Sequence, residues 1–256
     1  MKDFLDRFIT TLFFYIRAIY LSVAERLKLI KTGYSKGVSI NWIQNQNCKI
    51  FLSLKEFGDR DWKYNSYFDS QLFTEGILIY EEVVSKNRKL LNPNWNSQSN
   101  LCSIIYSFII KNHVTRVIET GVANGISTMV ILQALKITGG SLYSFDIIPE
   151  VEHSVKNEGN NWYFNLLPQR NTMFSLVNQI SKIGKCQLWI HDSNHGFSWQ
   201  NFEFNLAYRN LTESGLLISD DIDSSPAWGY FSNEKKQNSI ALFDQKKYIG
   251  LMFKDN

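Results

Sequence analysis

Five carboxylates stand where short apolar runs of the chain stop. Glu119 follows Arg116-Val-Ile, Asp146 ends the run Ser141-Leu-Tyr-Ser-Phe, Asp192 follows Gln187-Leu-Trp-Ile-His191, and Asp220-Asp221 follow Leu216-Leu-Ile-Ser219. Runs of this length, rich in β-branched and aromatic residues, read as strands buried on both faces. In an open parallel sheet, ligands bind beyond the carboxyl ends of the strands. Acids gathered on that rim repel one another unless a cation or a polar ligand sits among them. Asp192, Asp220 and Asp221 suit a hard divalent cation with oxygen ligands, Mg²⁺ first. The plainer alternative is that Asp192 and Asp221 cap helices. His191 precedes Asp192 inside its strand, so alternation turns it to the opposite face, as a packed or hydrogen-bonded imidazole.

Asp146 lies 25 residues after Gly121. That spacing matches an acid accepting from both hydroxyls of a ribose, against the alternative of a cap before the Pro149 turn. Between the first two acids runs Glu119-Thr-Gly-Val-Ala-Asn-Gly-Ile-Ser-Thr128. Gly121 permits a tight turn and Gly125 lets backbone approach a ligand. Ser127-Thr128 open a helix over Met129 to Lys136. Strand, glycine turn and helix amide terminus form a ligand cradle. A dinucleotide fingerprint would read G-x-G-x-x-G. Here the glycines are spaced G-x-x-x-G, and an acid directly before Gly121 repels a pyrophosphate. It suits a ligand carrying an amino group.

The stretch E-T-G-V-A-N-G-x-S-T resembles motif I of the class I S-adenosylmethionine (SAM)-dependent methyltransferases, in particular the branch with the metal-dependent macrolide-sugar O-methyltransferases. The likeness covers residues 98–256. It implies SAM bound by Glu119, Thr120, Gly121, Ala123, Asn124, Gly125 and Ser127, with Asp146 on the ribose. In that branch D-x-x-H and a later D-D pair carry metal and base. The resemblance therefore implies Asp192, Asp220 and Asp221 as Mg²⁺ ligands and His195 as general base, with Asp192 also at the catalytic centre. The acceptor implied is a sugar, a glycoconjugate or another small polyhydroxylated molecule. The loop holding Asp223, Ser224, Ser225, Trp228, Tyr230 and Phe231 would shape its choice, or else simply cover the sheet.

The elements that must position these residues alternate. Strands are expected at Val114–Thr120, Ser141–Asp146, Trp162–Leu167, Gln187–His191, Leu216–Ser219 and Tyr248–Lys254. Helices are expected within Trp62–Val84 and at Ser97–Asn112, Thr172–Lys182 and Ser198–Leu211. This βα alternation predicts an α/β, Rossmann-like, mainly parallel sheet flanked by helices. Asn92-Pro93-Asn94 marks a boundary. A helical amino-terminal extension, residues 1–95, would precede the SAM-binding domain, residues 96–256.

The chain has 256 residues, 44% of them hydrophobic and 20% charged, the balance of a globular protein. Cys48, Cys102 and Cys186 form no C-x-x-C pair, which points away from a zinc site or disulfide framework and toward a reducing cytoplasm. A net charge of +3 gives no footprint for nucleic acid. Six basic and three acidic residues in 1–31 account for a charge equal to that of the whole chain. Leu5, Phe8, Ile9, Leu12, Ile16, Ile19, Val23, Leu27 and Ile30 share one helical face there. Arg17 interrupts any membrane-spanning run. Two readings stand: a helix lying on the inner face of a membrane or docking a partner, and one packing on its own domain or in a homo-oligomer. For the whole protein, the rival to a methyltransferase is a non-catalytic Rossmann-like module that binds SAM or a nucleotide. It would need neither three metal acids nor His195.

Overall fold

The computed structural model describes residues 16, 48–59, 62–86, 97–155, 161–245 and 247–255. The amphipathic segment 1–31, Ile16 apart, and the Asn92-Pro93-Asn94 boundary lie outside the described residues.

Eight strands form one sheet in the order β1-β7-β8-β6-β5-β2-β3-β4. They are β1 Cys48–Phe51, β2 Arg116–Thr120, β3 Ser141–Asp146, β4 Trp162–Leu166, β5 Cys186–His191, β6 Leu211–Ser219, β7 Ser239–Asp244 and β8 Lys247–Phe253. All neighbouring strands run parallel except β8, which is antiparallel to both β6 and β7. The expected mainly parallel α/β sheet is therefore present. Helices cover both faces. On one lie α2 Ser70–Lys86, α3 Ser99–Lys111 and α4 Ile126–Thr138, after the short α1 Leu54–Asp59. On the other lie α5 Thr172–Ile183, α6 Phe197–Asn210 and α7 Ala227–Lys235.

The alternation of a strand decides which face each residue serves. Val117, Leu188, Ile190 and Ile218 belong to the core under α2–α4, whereas Ile118, Trp189 and Leu217 belong to the core under α5–α7. Both sheet faces are buried, which is why the central strands read as apolar runs. The same parity sends Glu119 toward α4 and Thr120 toward α6.

Three elements were not anticipated. Strand β7 and helix α7 fill the stretch after Asp221, and β1 adds to β7 at the sheet edge. Residues 48–86, expected within a helical extension, thus supply an edge strand, and Phe51, Phe57, Phe68 and Phe73 lie in the main core. Of the two readings for the aromatics after Asp221, Trp228 and Phe231 follow the plainer one and cover the sheet, buried on α7 against Phe204. The pair Ser214-Gly215, expected between helix and strand, lies inside β6, where Ser214 takes a positive φ of 59° and both residues bond Lys254 of the chain end.

Candidate active site

The carboxyl ends of β2, β3, β5 and β6 converge because backbone bonding continues one residue past the strands. Gly121 N–H donates to Phe145 O, Asp192 N–H to Thr120 O and Asp220 N–H to His191 O, each at 2.8 Å. Strand order reverses here: β3 and β4 lie to one side of β2, β5 and β6 to the other. That is where an open α/β sheet parts to admit a ligand. The approach is close at Gly121. Its φ is +85°, and a Cβ there would stand 1.9 Å from Asp192 O. No other residue type fits.

A cavity of about 840 Å³ runs along this rim. Phe145, Asp146, Ile147, Ile148, Leu167, Gln169 and Thr172 line the part over β3 and β4. Asp192, Ser193, Asn194, His195, Trp199, Asp221 and Lys247 line the part over β5, β6 and β8, with Thr120, Gly121 and Ala123 between. An apolar cavity with a few convergent polar groups is the usual form of a small-molecule site.

The structure divides the expected SAM-binding residues into two sets. Thr120, Gly121, Ala123 and Asp146 line the cavity. Glu119, Asn124, Gly125 and Ser127 do not. Glu119 is fully buried, and its carboxylate accepts from Ser127, Thr128 and Ser144 hydroxyls at 2.8 Å each. Burial pushes its carboxyl up to about 7, against the lowering effect of those hydroxyls. The expectation that Glu119 meets a ligand amino group is corrected: alternation along β2 points it away from the cavity, into α4. Gly125 serves as the N-cap of α4 with φ +74°, and a Cβ on it would meet Val155 at 2.5 Å. Asn124 is buried as well.

Asp146 stands where its spacing placed it, yet its acceptor sites are already engaged. Oδ2 accepts from Val122 and Ala123 amides at 2.8 and 3.3 Å, and Oδ1 from Ile147 and Ile148 amides at 2.7 and 3.0 Å. The acid fastens the glycine turn to the end of β3. A ribose hydroxyl reaching it would share an oxygen with one of these amides, the long Ala123 contact being the weakest.

Across Gly121, the second group of acids does come together. His195 Nε2 is 3.4 Å from Asp221 Oδ2 and 3.8 Å from Asp192 Oδ1. Asp192 Oδ2 accepts from Ser97 Oγ at 3.3 Å. Burial, with the Asp220 charge behind it, raises the Asp192 carboxyl well above the usual range. Burial and the neighbouring His191 imidazole hold His195 below its ordinary 6.5. Ser224 Oγ lies 2.7 Å from Asp221 O and 3.3 Å from His195 O, tying the two loops together.

Sequence reading missed the cation among these acids. Lys247 Nζ bonds Asp220 Oδ2 and lies 3.4 Å from Asp221 Oδ2. The antiparallel turn of β8 is responsible, since it brings the first residue of that strand to the rim where parallel strands end. Asp220 is fully buried and Lys247 largely so. Although burial opposes its charge, the acids Asp220 and Asp192 keep Lys247 protonated, well above the ordinary lysine value. Among the described residues, no three histidine, cysteine, aspartate or glutamate side chains surround one point as metal ligands. Of the expected Mg²⁺ donors Asp192, Asp220 and Asp221, the last two instead share the Lys247 ammonium.

Glu203, also missed, lies beneath the floor. It is fully buried on α6 and takes bonds from Thr120 Oγ1, from Trp189 Nε1 at 3.2 Å, from Ser193 Oγ at 3.0 Å and from Trp199 Nε1 at 2.8 Å. Burial alone would raise its carboxyl. The charge and contact of His191, with the Thr120 and Trp189 donors, override burial and hold it below the usual carboxylate range. Thr120, Ser193 and Trp199 all line the cavity.

Residues 118–222 match the model of a methyltransferase-domain family. No protein of curated function matches the chain in sequence. Among solved structures, an O-methyltransferase from Bacillus cereus in complex with SAH superposes with a TM-score of 0.52 at 12% identity, over 69% of this chain and 89% of that one. An SAH-bound methyltransferase from Podospora anserina gives 0.52 at 12% identity, over 75% and 91%. MycE, a methyltransferase of the mycinamycin biosynthetic pathway in complex with Mg, SAH and mycinamycin VI, gives 0.51 at 14% identity, over 69% and 54%. These likenesses establish the class I methyltransferase fold. Among the described residues no helix is long and apolar enough to cross a membrane.

Proposed function

From a chain that carries a methyltransferase domain over residues 118–222, we propose SAM-dependent methyl transfer to a hydroxyl oxygen of a small acceptor. The observation that carries this reading is one continuous cavity with Asp146 on one side of Gly121 and the His195–Asp221–Lys247 group on the other. The β3–β4 part, with Phe145, Ile147, Ile148 and Leu167, suits an adenine ring, and Asp146 the adjoining ribose. The β5–β6–β8 part suits the acceptor. Trp199 offers a ring face and Ser193 and Asn194 offer polar groups, in keeping with a sugar or another small polyhydroxylated molecule.

SAM supplies a methyl group on a sulfonium centre whose sulfur takes the bonding electron pair when that group leaves. The residues of this chain manage the proton and the charge. His195, neutral at pH 7 by the direction of its shift, would accept the acceptor's hydroxyl proton at Nε2. The oxygen that keeps the O–H electron pair would be held by the Lys247 ammonium while it bonds the methyl carbon. Asp221, 3.4 Å from both His195 Nε2 and Lys247 Nζ, would steady the imidazolium. The proton then leaves to solvent.

A second reading keeps Mg²⁺ on Asp192, Asp220 and Asp221. The Mg-containing MycE complex and the place of the three acids at the ends of the adjoining strands β5 and β6 support it. It requires Lys247 to withdraw from Asp220. The test of the main reading is calorimetric titration with SAM and SAH, followed by labelled-methyl transfer to a panel of sugars, glycosides and simple phenols. Binding without transfer to any hydroxyl would favour the rival, a non-catalytic SAM-binding module.

A further inference from the structure

We infer that Lys247 is the resident cation of the acid cluster, standing where a divalent ion would stand among Asp192, Asp220 and Asp221, so that the acceptor is held through a single oxygen. The inference rests on the O-methyl transfer reading for the acceptor, but its first test does not.

The geometry is specific. Asp220 is fully buried, and the side chain that meets its Oδ2 is the Lys247 ammonium. A buried carboxylate without a counter-charge is costly, so this partner is part of what allows Asp220 to be there at all. The same ammonium reaches Asp221 Oδ2 at 3.4 Å, and the Lys247 side chain is only 17% exposed. A divalent ion seeking Asp220 and Asp221 together would have to take the place of a bonded cation inside the fold. Lys247 is anchored at the start of β8, where it pairs with Asp244 of β7, so its base cannot withdraw without breaking the sheet there.

The substitution changes what the site can recognise. A hard divalent ion has several coordination positions and can chelate two vicinal oxygens. An ammonium has three donors. Two are directed to Asp220 and Asp221, which leaves one for an oxygen in the cavity that Lys247 lines. The acceptor therefore needs one hydroxyl beside His195, and a neighbouring hydroxyl confers no advantage. Simple alcohols or phenols on an otherwise suitable ring fall within the class, not only diols and catechols.

Electron paramagnetic resonance of Mn²⁺ with the full chain tests the first part. Wild-type protein should leave the free Mn²⁺ signal undiminished. Lys247→Ala should take up one Mn²⁺ per chain, and Lys247→Ala combined with Asp220→Asn should lose it again. Uptake of one Mn²⁺ by the wild type, abolished by Asp220→Asn, would overturn the inference without any variant at Lys247 having to fold. Failure of folded Lys247→Ala to take up Mn²⁺ would overturn it too, since the lysine would then be an ordinary ion pair. For the second part, a monohydroxyl acceptor and its vicinal diol should be methylated at similar kcat/KM, unchanged by EDTA. A diol preference lost with EDTA sinks the one-oxygen site. Absence of SAH binding, measured on the same samples, would sink the methyltransferase reading while leaving the Mn²⁺ result to stand.

Discussion

His191 Nδ1 and Glu203 Oε1 lie 3.0 Å apart, and neither side chain is exposed to solvent. The imidazole is not aligned for a hydrogen bond. Glu203 is nonetheless well satisfied, because Thr120, Trp189, Ser193 and Trp199 donate to it. One carboxylate thus fixes three residues of the cavity floor. Glu203→Ala leaves Trp189 Nε1 and Ser193 Oγ without their acceptor and His191 without its partner, while Thr120 keeps only Ile190 O at 3.3 Å and Trp199 only Ser193 Oγ at 2.8 Å. Urea unfolding should show a loss of about 3–5 kcal/mol, the range for breaking a buried pair, and SAH affinity should fall with it. A loss under about 1 kcal/mol, within the range of an exposed pair, would mean that Glu203 does not hold the floor.

Glu119 makes a prediction of opposite sign. Its folded value, about 7, lies above the ordinary 4.5. The stability it contributes is full below about 4.5 and is lost as pH rises to about 7, since the unfolded chain releases the proton first. The size of the loss is about 3 kcal/mol. Glu119→Gln cannot ionise, and the Ser127, Thr128 and Ser144 hydroxyls can turn to suit an amide. Relative to wild type, the variant should gain about 3 kcal/mol between pH 4.5 and the alkaline side of pH 7. Parallel unfolding curves for the two proteins across that window would show that Glu119 is not the titrating group.

Much of this was legible from alternation and from strand ends. The parallel core strands, the glycine turn, and the meeting of Asp192, Asp220, Asp221 and His195 follow from apolar runs that each stop at an acid. The orientation of Glu119 was also within reach: it shares parity with Val117, and three hydroxyl residues wait on that side. Lys247 was not legible, because nothing local shows that β8 runs antiparallel, and a lysine before a strand ordinarily faces water. Glu203 was hidden for the opposite reason. It lies on a helix with other polar residues, Gln200, Asn201 and Asn205, all of them buried, so the helical pattern that marks a solvent face failed there. The strand Ser239–Asp244 was passed over, although Ser-Ile-Ala-Leu-Phe-Asp repeats the apolar-run-then-acid form of the others.

Asp146 holds the glycine turn through four amides, so its loss should act on the ligand twice, through the ribose contact and through a loosened turn. A hydrogen bond to a charged group is worth about 1.5–3 kcal/mol. Asp146→Ala should therefore weaken SAH binding by roughly ten- to a hundredfold. Titration with SAH and with adenine separates the two effects, since adenine lacks the ribose. If both ligands weaken equally, Asp146 acts only through the turn.

His195 carries the sharpest prediction for turnover. Burial and the His191 imidazole push its value down, and the Asp221 and Asp220 charges only partly oppose them. The imidazole is consequently neutral at pH 7 and ready to accept a proton, and activity should fall on the acid side with a midpoint below the ordinary 6.5. His195→Ala should cost ~10²–10⁴ in kcat, the usual worth of a general base, and should erase that acid limb. SAH affinity should change little, because His195 lies across Gly121 from Asp146. Added Mg²⁺ should not restore the rate, because a cation cannot take up the proton. A different pattern would move the base elsewhere. If His195→Ala retains the acid limb, the titrating group is Asp192, whose carboxyl is raised by burial, and His195 serves to position the Asp221 carboxylate 3.4 Å from its Nε2.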